Sequence, residues 1–247
     1  MHPVAAAGFA AAADVYERAR PTYPPDAVAW LAERLGLGPG RTVLDVGAGT
    51  GKLTRLLVPF GARVIAVEPV PEMLAKLREV VPGTETMAAT AEALPLPDAS
   101  VDAITVAQAM HWFDDSRALP ELRRVLRPGG ALGLIWNSRD LADPLQDRLE
   151  ALLAPARARV PAQIELGWRE PLRRSKLFGP IEERRFRNEQ PSTVGDLRDR
   201  VTSTSFVAAM APVEREALLE QVEALVAGMP EPFTFQYETE VYITPAV

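Results

Sequence analysis

Residues 45–54 read Asp-Val-Gly-Ala-Gly-Thr-Gly-Lys-Leu-Thr: an acid, alternating glycines, a lysine and a threonine. Three chemistries compete for such a stretch. A triphosphate loop needs G-x-x-x-x-G-K-[S/T], whose backbone N–H groups cradle phosphates. Here Leu53 follows Gly51-Lys52 where a hydroxyl residue is required, and Val46 occupies the first glycine position. A dinucleotide loop needs G-x-G-x-x-G, the last glycine permitting close packing of helix on strand. Counted from Gly47 and Gly49, that position is Lys52. Lys52 cannot serve it and is read instead as a solvated residue of the first helical turn. Asp45 would also sit poorly beside a pyrophosphate.

The remaining pattern, Asp45-x-Gly47-x-Gly49-x-Gly51, suits a ligand that lacks phosphate and carries an amino group. S-adenosylmethionine (SAM) has an ammonium, a carboxylate, a sulfonium and an adenosine. An acid beside the loop suits the ammonium, and glycines let backbone approach the ligand closely. A second acid should then close the next strand and hold the ribose hydroxyls. Glu68 ends "RVIAVE", close to the ~20-residue spacing expected between such a loop and its ribose-binding acid.

Methyl transfer from a sulfonium is an in-line displacement that depends on alignment. A base is needed only when the acceptor has a proton to lose. Of the two histidines, His2 is terminal, while His111 lies in "QAMHWFDD". Its pKa class suits proton removal near neutrality, making it the candidate catalytic base. The alternative is that His111 and Trp112 only shape a pocket wall, with Phe113 as wall or core. Trp136 and Asn137 follow another apolar run and are candidates for the acceptor border. Asp114 and Asp115 are expected to open a helix, where carboxylates favour the N-terminal dipole. The clusters "RRSK" and "EERRFR" read as solvated faces, with an anionic acceptor as the other reading. Arg139 and Trp168 are further pocket candidates.

These residues must be positioned by an alternating scaffold. "TVLDVG", "RVIAVE", "VDAITVAQ" and "ALGLIWN" are short, β-branched and almost continuously apolar, as strands buried on both faces are. Amphipathic runs separate them, so the pattern predicts a parallel sheet covered on both sides by helices. Leu53, Leu56, Leu57 and Phe60 form a helical stripe that Gly61 ends. Leu119, Leu122, Val125 and Leu126 form another, closed by Pro128-Gly129-Gly130. "PPDAVAWLAERLG" reads as a helix opening on proline and ending at Gly36. Beyond Asn137, helices are expected over 143–158 and over about 193–207 and 212–227. "IEERRFRNEQ" reads as a weak strand and "FTFQYETEVYI" as a final strand, with Pro230 and Pro232 marking the turn into it.

"VLDVGAGTGKLTRLL", "VIAVEPVPEML", "TAEALPLPDASVDAITVAQAMHWFD" and "RVLRPGGALGLIWN" resemble the successive motifs of class I SAM-dependent methyltransferases, in particular the methyltransferase type 11 group. "YERARPTYP" resembles the opening of its members. The specific likeness covers about 14–137. It implies a three-layer α/β/α Rossmann-like fold: a mostly parallel seven-stranded sheet with one antiparallel strand, the seventh, plus helical lid elements. The chain is expected to be one domain, with an N-terminal helical cover (1–40), a SAM-binding core (41–137) and a C-terminal part carrying lid helices and the last two strands (138–247).

Carried over residue by residue, the resemblance places Asp45, Gly47, Ala48 and Gly49 at the methionine end of SAM. Glu68 would hold the ribose, with Pro69 beside it and Met73 near the adenine. Thr90 stands where many relatives have an aspartate on the adenine amino group, and Ala91 and Glu92 would line that pocket. Gln108 would face the sulfonium. Tyr16, Arg20 and Tyr23 would form the N-terminal cover, with Arg20 pairing with the SAM carboxylate and Tyr23 near the acceptor. The implied reaction yields S-adenosylhomocysteine and a methylated small molecule. A SAM-binding sensor or scaffold, or an enzyme acting on a macromolecule, is the other reading.

Composition narrows this further. The 247 residues include no cysteine, which excludes disulfides, thiolate metal sites and cysteine nucleophiles, cytosine C5 methylation among them. No metal site is expected. Net charge is −6, which disfavours a general pull on nucleic acid. No apolar run approaches the roughly 18–20 residues that span a bilayer. The Ala-rich start lacks the basic and long apolar segments of a secretory signal, so a cytoplasmic monomer or homodimer is expected.

Overall fold

The computed structural model describes residues 13–158 and 167–247. Seven strands form one sheet: β1 (Thr42–Val46), β2 (Arg63–Val67), β3 (Glu85–Met87), β4 (Val101–Ala107), β5 (Leu126–Arg139), β6 (Glu182–Ser192) and β7 (Phe233–Pro245). Their order is β3-β2-β1-β4-β5-β7-β6. β1 to β5 run parallel, and β7 is inserted antiparallel between β5 and β6. This is the expected Rossmann-like arrangement. β3, within the stretch "ETMAAT", has only three residues and carries little apolar signal of its own.

The helices are α1 (Ala13–Ala19), α2 (Pro25–Arg34), α3 (Thr54–Leu57), α4 (Pro71–Val80), α5 (Asp115–Val125), α6 (Pro144–Arg157), α7 (Arg169–Ser175), α8 (Val194–Thr202), α9 (Ser205–Ala208) and α10 (Pro212–Leu225). Strand alternation divides the core. Leu44, Val46, Ile104 and Leu134 pack with Leu119 and Leu122 of α5 and with Leu172 of α7. On the other face Val43, Ala103 and Ile135 meet Leu31 of α2 and Leu57 of α3. Asp45 has the parity of Val43, so its carboxylate enters this second layer.

A further apolar cluster lies where β5 and β7 outrun the sheet. Leu149 and Leu153 of α6, Leu197 and Val201 of α8 and Val222 of α10 pack with Phe233 and Phe235. Asp143 caps α6, accepting from the N–H of Leu145 and Gln146 at 3.0 and 2.9 Å. The helix expected over 193–207 is two. Thr193 and Asp196 form a capping box at its start. At its end the Ser203 and Thr204 hydroxyls donate to the carbonyls of Arg200 and Val201, at 2.8 and 2.7 Å, and draw the backbone out of the helical ladder. Leu126, counted in a helical stripe, is instead the first residue of β5. Among the described residues no helix is long and apolar enough to cross a membrane.

The start of β5 has little room. A Cβ on Gly130 would lie 2.8 Å from the Asp102 carbonyl oxygen and 3.0 Å from that of Arg127, both backbone atoms. Gly130→Ala is expected to lose roughly 1–3 kcal/mol in urea unfolding. Gly38→Ala, where a Cβ meets nothing within 4 Å, should stay within about 0.5 kcal/mol of the parent.

Candidate active site

The glycine loop leaves β1 and turns under the end of β2. Gly47 and Ala48 both donate their N–H to the Val67 carbonyl, at 2.9 and 3.0 Å. Gly47 (φ +69°) and Gly51 (φ +86°) are needed for packing as well as conformation. A Cβ on Gly47 would come 2.7 Å from Ala109, and one on Gly51 would come 3.0 Å from Leu77 and Val81 of α4. Gly49 (φ +57°) has open space at the corresponding point. Its N–H donates to Glu68 Oε2 at 2.9 Å, while Glu68 Oε1 accepts from the Val70 N–H at 2.9 Å. Burial raises the Glu68 pKa, and these two backbone donors oppose that rise.

A cavity of about 640 Å³ opens here, beyond the carboxyl ends of β1, β2 and β4. Strand order reverses between β1 and β4, so this is the crevice where open α/β sheets bind ligands. Gly47, Gly49 and Glu68 line one side, with Pro69 and Met73 next to them. Thr90, Ala91 and Glu92 line the far end. Glu92 Oε1 accepts from the Asp114 N–H at 3.0 Å and ties that end to the start of α5. Gln108, Trp112 and Phe113 complete the wall. Gln108 holds the left-handed conformation, φ +57°, which is uncommon for a non-glycine residue and is met at functional sites. Ala89, Ala107 and Ala109 also line the cavity. Nothing in their type singles them out, although the last two flank Gln108.

Several expected site residues lie elsewhere. Asp45 is fully buried and does not line the cavity. Its oxygens accept from Thr54 Oγ1 at 2.6 Å and Thr105 Oγ1 at 2.9 Å, within the core. Burial pushes its pKa up to about 6 against those two donors. Ala48 packs against Ala66, Leu77 and Val81. Tyr23 and Trp136 belong to the core. Asn137 is committed to the scaffold: its Nδ2 donates to the Thr22 carbonyl at 3.1 Å, and its Oδ1 accepts from Asn188 Nδ2 at 3.0 Å and from Thr239 Oγ1. Arg20 donates to the Ser203 carbonyl at 2.8 Å and lines a different hollow. Tyr16 falls within α1, and its side chain lies outside what the structure describes. Trp168 is buried in the core, and Arg139 is paired with Glu150.

Lys52 is not solvated. Glu17 of α1 reaches over the loop, accepting from Thr50 Oγ1 and, at 2.6 Å, from Arg55 Nη1, with Lys52 Nζ 3.7 Å away. Burial under this cover lowers the Lys52 pKa to about 8, against the pull of Glu17. The sequence of the loop alone cannot show it, because the covering acid lies 35 residues upstream (52 − 17).

Residues 44–134 match the family model of the methyltransferase domain. An uncharacterized methyltransferase of Mycobacterium tuberculosis is 57% identical over 132 residues. That match covers 53% of each chain, so this chain spans about half the length of that relative. An uncharacterized methyltransferase-like protein of Schizosaccharomyces pombe is 34% identical over 216 residues, 87% of this chain and 84% of its own. A solved structure of a type II methyltransferase candidate from Anaeromyxobacter dehalogenans aligns with TM-score 0.69 and 31% identity, covering 92% of this chain and 97% of that one. The chain belongs to the class I SAM-dependent methyltransferases.

The lining residues fit the cofactor that this family implies. Gly49 is open where a Cβ would stand. Glu68 offers a buried carboxylate at the cavity's edge, and the far end is small and apolar at Ala89 and Ala91. Among the described residues no lysine or arginine that would demand a phosphate lines the cavity.

His111 behaves differently from a base poised at neutrality. It does not line the cavity, and its ring lies 4.5 Å from that of Trp112 and 5.3 Å from that of Trp136. Its Nδ1 is buried with no hydrogen-bond partner among the described residues. Burial, and secondarily the charge of Arg20, lower its pKa to about 4. The unfolded chain binds a proton at this histidine near the ordinary value of 6.5 while the folded chain refuses it, so stability is lost as pH falls from about 6.5 towards 4. In urea unfolding at pH 7 and pH 4.5, the parent should lose about 2–3 kcal/mol more than His111→Phe over that interval. Equal losses would show that His111 protonates freely in the fold.

Proposed function

We propose that this protein transfers a methyl group from SAM to a small-molecule acceptor. The observation that carries the reading is Glu68. A buried carboxylate at the end of β2, held by the N–H groups of Gly49 and Val70, stands at the strand-order switch in a chain of methyltransferase ancestry. Glu68 would hold the ribose hydroxyls, with Pro69 and Met73 beside the adenosine. Thr90, Ala91 and Glu92 would border the adenine. Gly47 and Gly49 would let backbone approach the amino-acid end, and Gln108 would face the sulfonium. Bound there, SAM supplies an electrophilic methyl group for in-line displacement by the acceptor.

The protein's own part is alignment and exclusion of water. Asp45 acts as a positioning residue, holding α3 and β4 to the loop through Thr54 and Thr105. His111 stays neutral near pH 7 and forms the backing of the Trp112 wall, so the proton, where the acceptor has one to lose, is not assigned to it. A small acceptor is supported by the concave shape of the site and by a net charge of −6.

Calorimetry tests the donor site. The parent should bind S-adenosylhomocysteine, and Glu68→Gln should bind it about tenfold or more weakly, the loss expected when charge-assisted hydrogen bonds become neutral ones. Binding of NAD or ATP in place of S-adenosylhomocysteine would sink the assignment. Transfer of radiolabelled methyl from SAM to a metabolite panel separates an enzyme from a sensor.

A further inference from the structure

A second hollow, of about 490 Å³, lies between the end of α1 and the layer formed by α8 and β7. It shares no lining residue with the donor cavity. Arg18, Arg20 and Arg200 line it together with Gln190 and Ser192, against the ring of Tyr237. Its one lining acid among the described residues, Asp196, is already engaged, accepting from the Thr193 N–H and hydroxyl at 2.8 Å each. Arg18 pairs outward with Asp199 at 3.2 Å.

Arg200 has no carboxylate partner among the described residues. Its Nε donates to the Tyr237 hydroxyl at 3.2 Å, and its Nη1 is buried with no acceptor among the described residues. The nearby Arg139 is held by Glu150, and its charge and that of Arg200 repel. Cationic side chains gathered in a partly enclosed space cost free energy unless an anion compensates them. An N–H buried without an acceptor costs more than the bond it could make. Guanidinium groups are shaped for the paired oxygens of a carboxylate or phosphate.

The hollow is coupled to the donor cavity through short links. Asn137 donates to the carbonyl of Pro21, a lining residue of the hollow, at 3.4 Å, while its own carbonyl accepts from Gln108 Nε2 of the donor cavity at 3.4 Å. Arg20 acts electrostatically on His111, whose ring lies against the cavity residue Trp112. We propose that this hollow is an anion subsite in which Arg20 and Arg200 receive a carboxylate or phosphate group of the methyl acceptor. The proposal rests on the methyltransferase reading and names the class of acceptor: a small molecule bearing an anionic oxygen group remote from the atom methylated.

The test is calorimetry on the full chain saturated with S-adenosylhomocysteine, titrated with glutarate, citrate and glycerol 3-phosphate, and with glutaramide as the neutral control. An anionic probe should bind and glutaramide should not, and whether the carboxylates or the phosphate bind tighter identifies the group. Arg200→Gln should weaken that binding by about tenfold or more, while its affinity for S-adenosylhomocysteine stays within about twofold. Arg200→Lys, which keeps the charge and loses the fork, should weaken it less, by a few-fold, and carries the comparison if the glutamine variant does not fold. The proposal is overturned if no anionic probe binds, if glutaramide binds equally, or if Arg200→Lys binds as the parent does. A parallel loss of S-adenosylhomocysteine affinity in the Arg200 variants also overturns it, by assigning the arginines to the donor's carboxylate. Failure of the parent to bind S-adenosylhomocysteine at all would strike the methyltransferase reading instead. Titration of the unliganded protein with the same anions would then still decide the hollow.

Discussion

The architecture turns on one buried carboxylate. Asp45, next to last in β1, has no solvent exposure and is held by the hydroxyls of Thr54 and Thr105 and by the Thr54 backbone. A buried charge is costly unless hydrogen-bonded, and its pKa near 6 records that cost. Because the folded pKa is raised, the carboxylate's contribution to stability is fullest below the unfolded value near 3.8 and declines as pH rises through 6. The two threonines limit that loss. In doing so they hold the first turn of α3 and the strand β4 against β1, which is where strand order reverses. The glycine loop has nowhere else to go: it must cross from β1 to α3 over the end of β2.

Glu68 then completes the frame from the neighbouring strand. It bonds the loop through Gly49 and its own following turn through Val70. Two acids of adjacent strands thus divide the work. Asp45 faces inward and fixes the scaffold, and Glu68 faces the cavity. The charge of Asp45 adds slightly to the raised pKa of Glu68. Glu17, on α1, closes the loop from outside by gathering Thr50, Lys52 and Arg55. Three carboxylates of three separate elements therefore determine where a loop of glycines can lie.

The strands, their parallel pairing and the long final strand were legible because each is long enough to show its burial in residue type. β3 was not, since three half-buried residues carry no pattern. The glycine loop and Glu68 were legible because spacing along one βαβ unit fixes where they fall. The bonds of Asp45 were not legible, because an acid near a strand's end has the same sequence whether its side chain turns to a cavity or to two hydroxyls from other elements. The contacts of Lys52, Asn137 and Arg20 were hidden in the same way. Their partners are Glu17, Thr239 with Asn188, and Ser203, each distant in sequence. Contacts within a unit can be read from its pattern; contacts between units depend on how the units pack.

Arg20 couples the second hollow electrostatically to His111, whose ring lies against the cavity residue Trp112. Its charge is the second cause of the low His111 pKa, after burial. An anion seated on Arg20 and Arg200 would offset that charge and let the histidine bind a proton more readily. Burial, the larger cause, would remain, so the pKa would rise from about 4 while staying below the ordinary 6.5. The histidine would therefore still be largely neutral near pH 7 with the acceptor bound. A neutral ring against Trp112 and Trp136 keeps the wall apolar on the side where an acceptor would approach. The arginines would thus serve to hold the acceptor's far end, and the aromatic wall to exclude water, with no titrating group required between them.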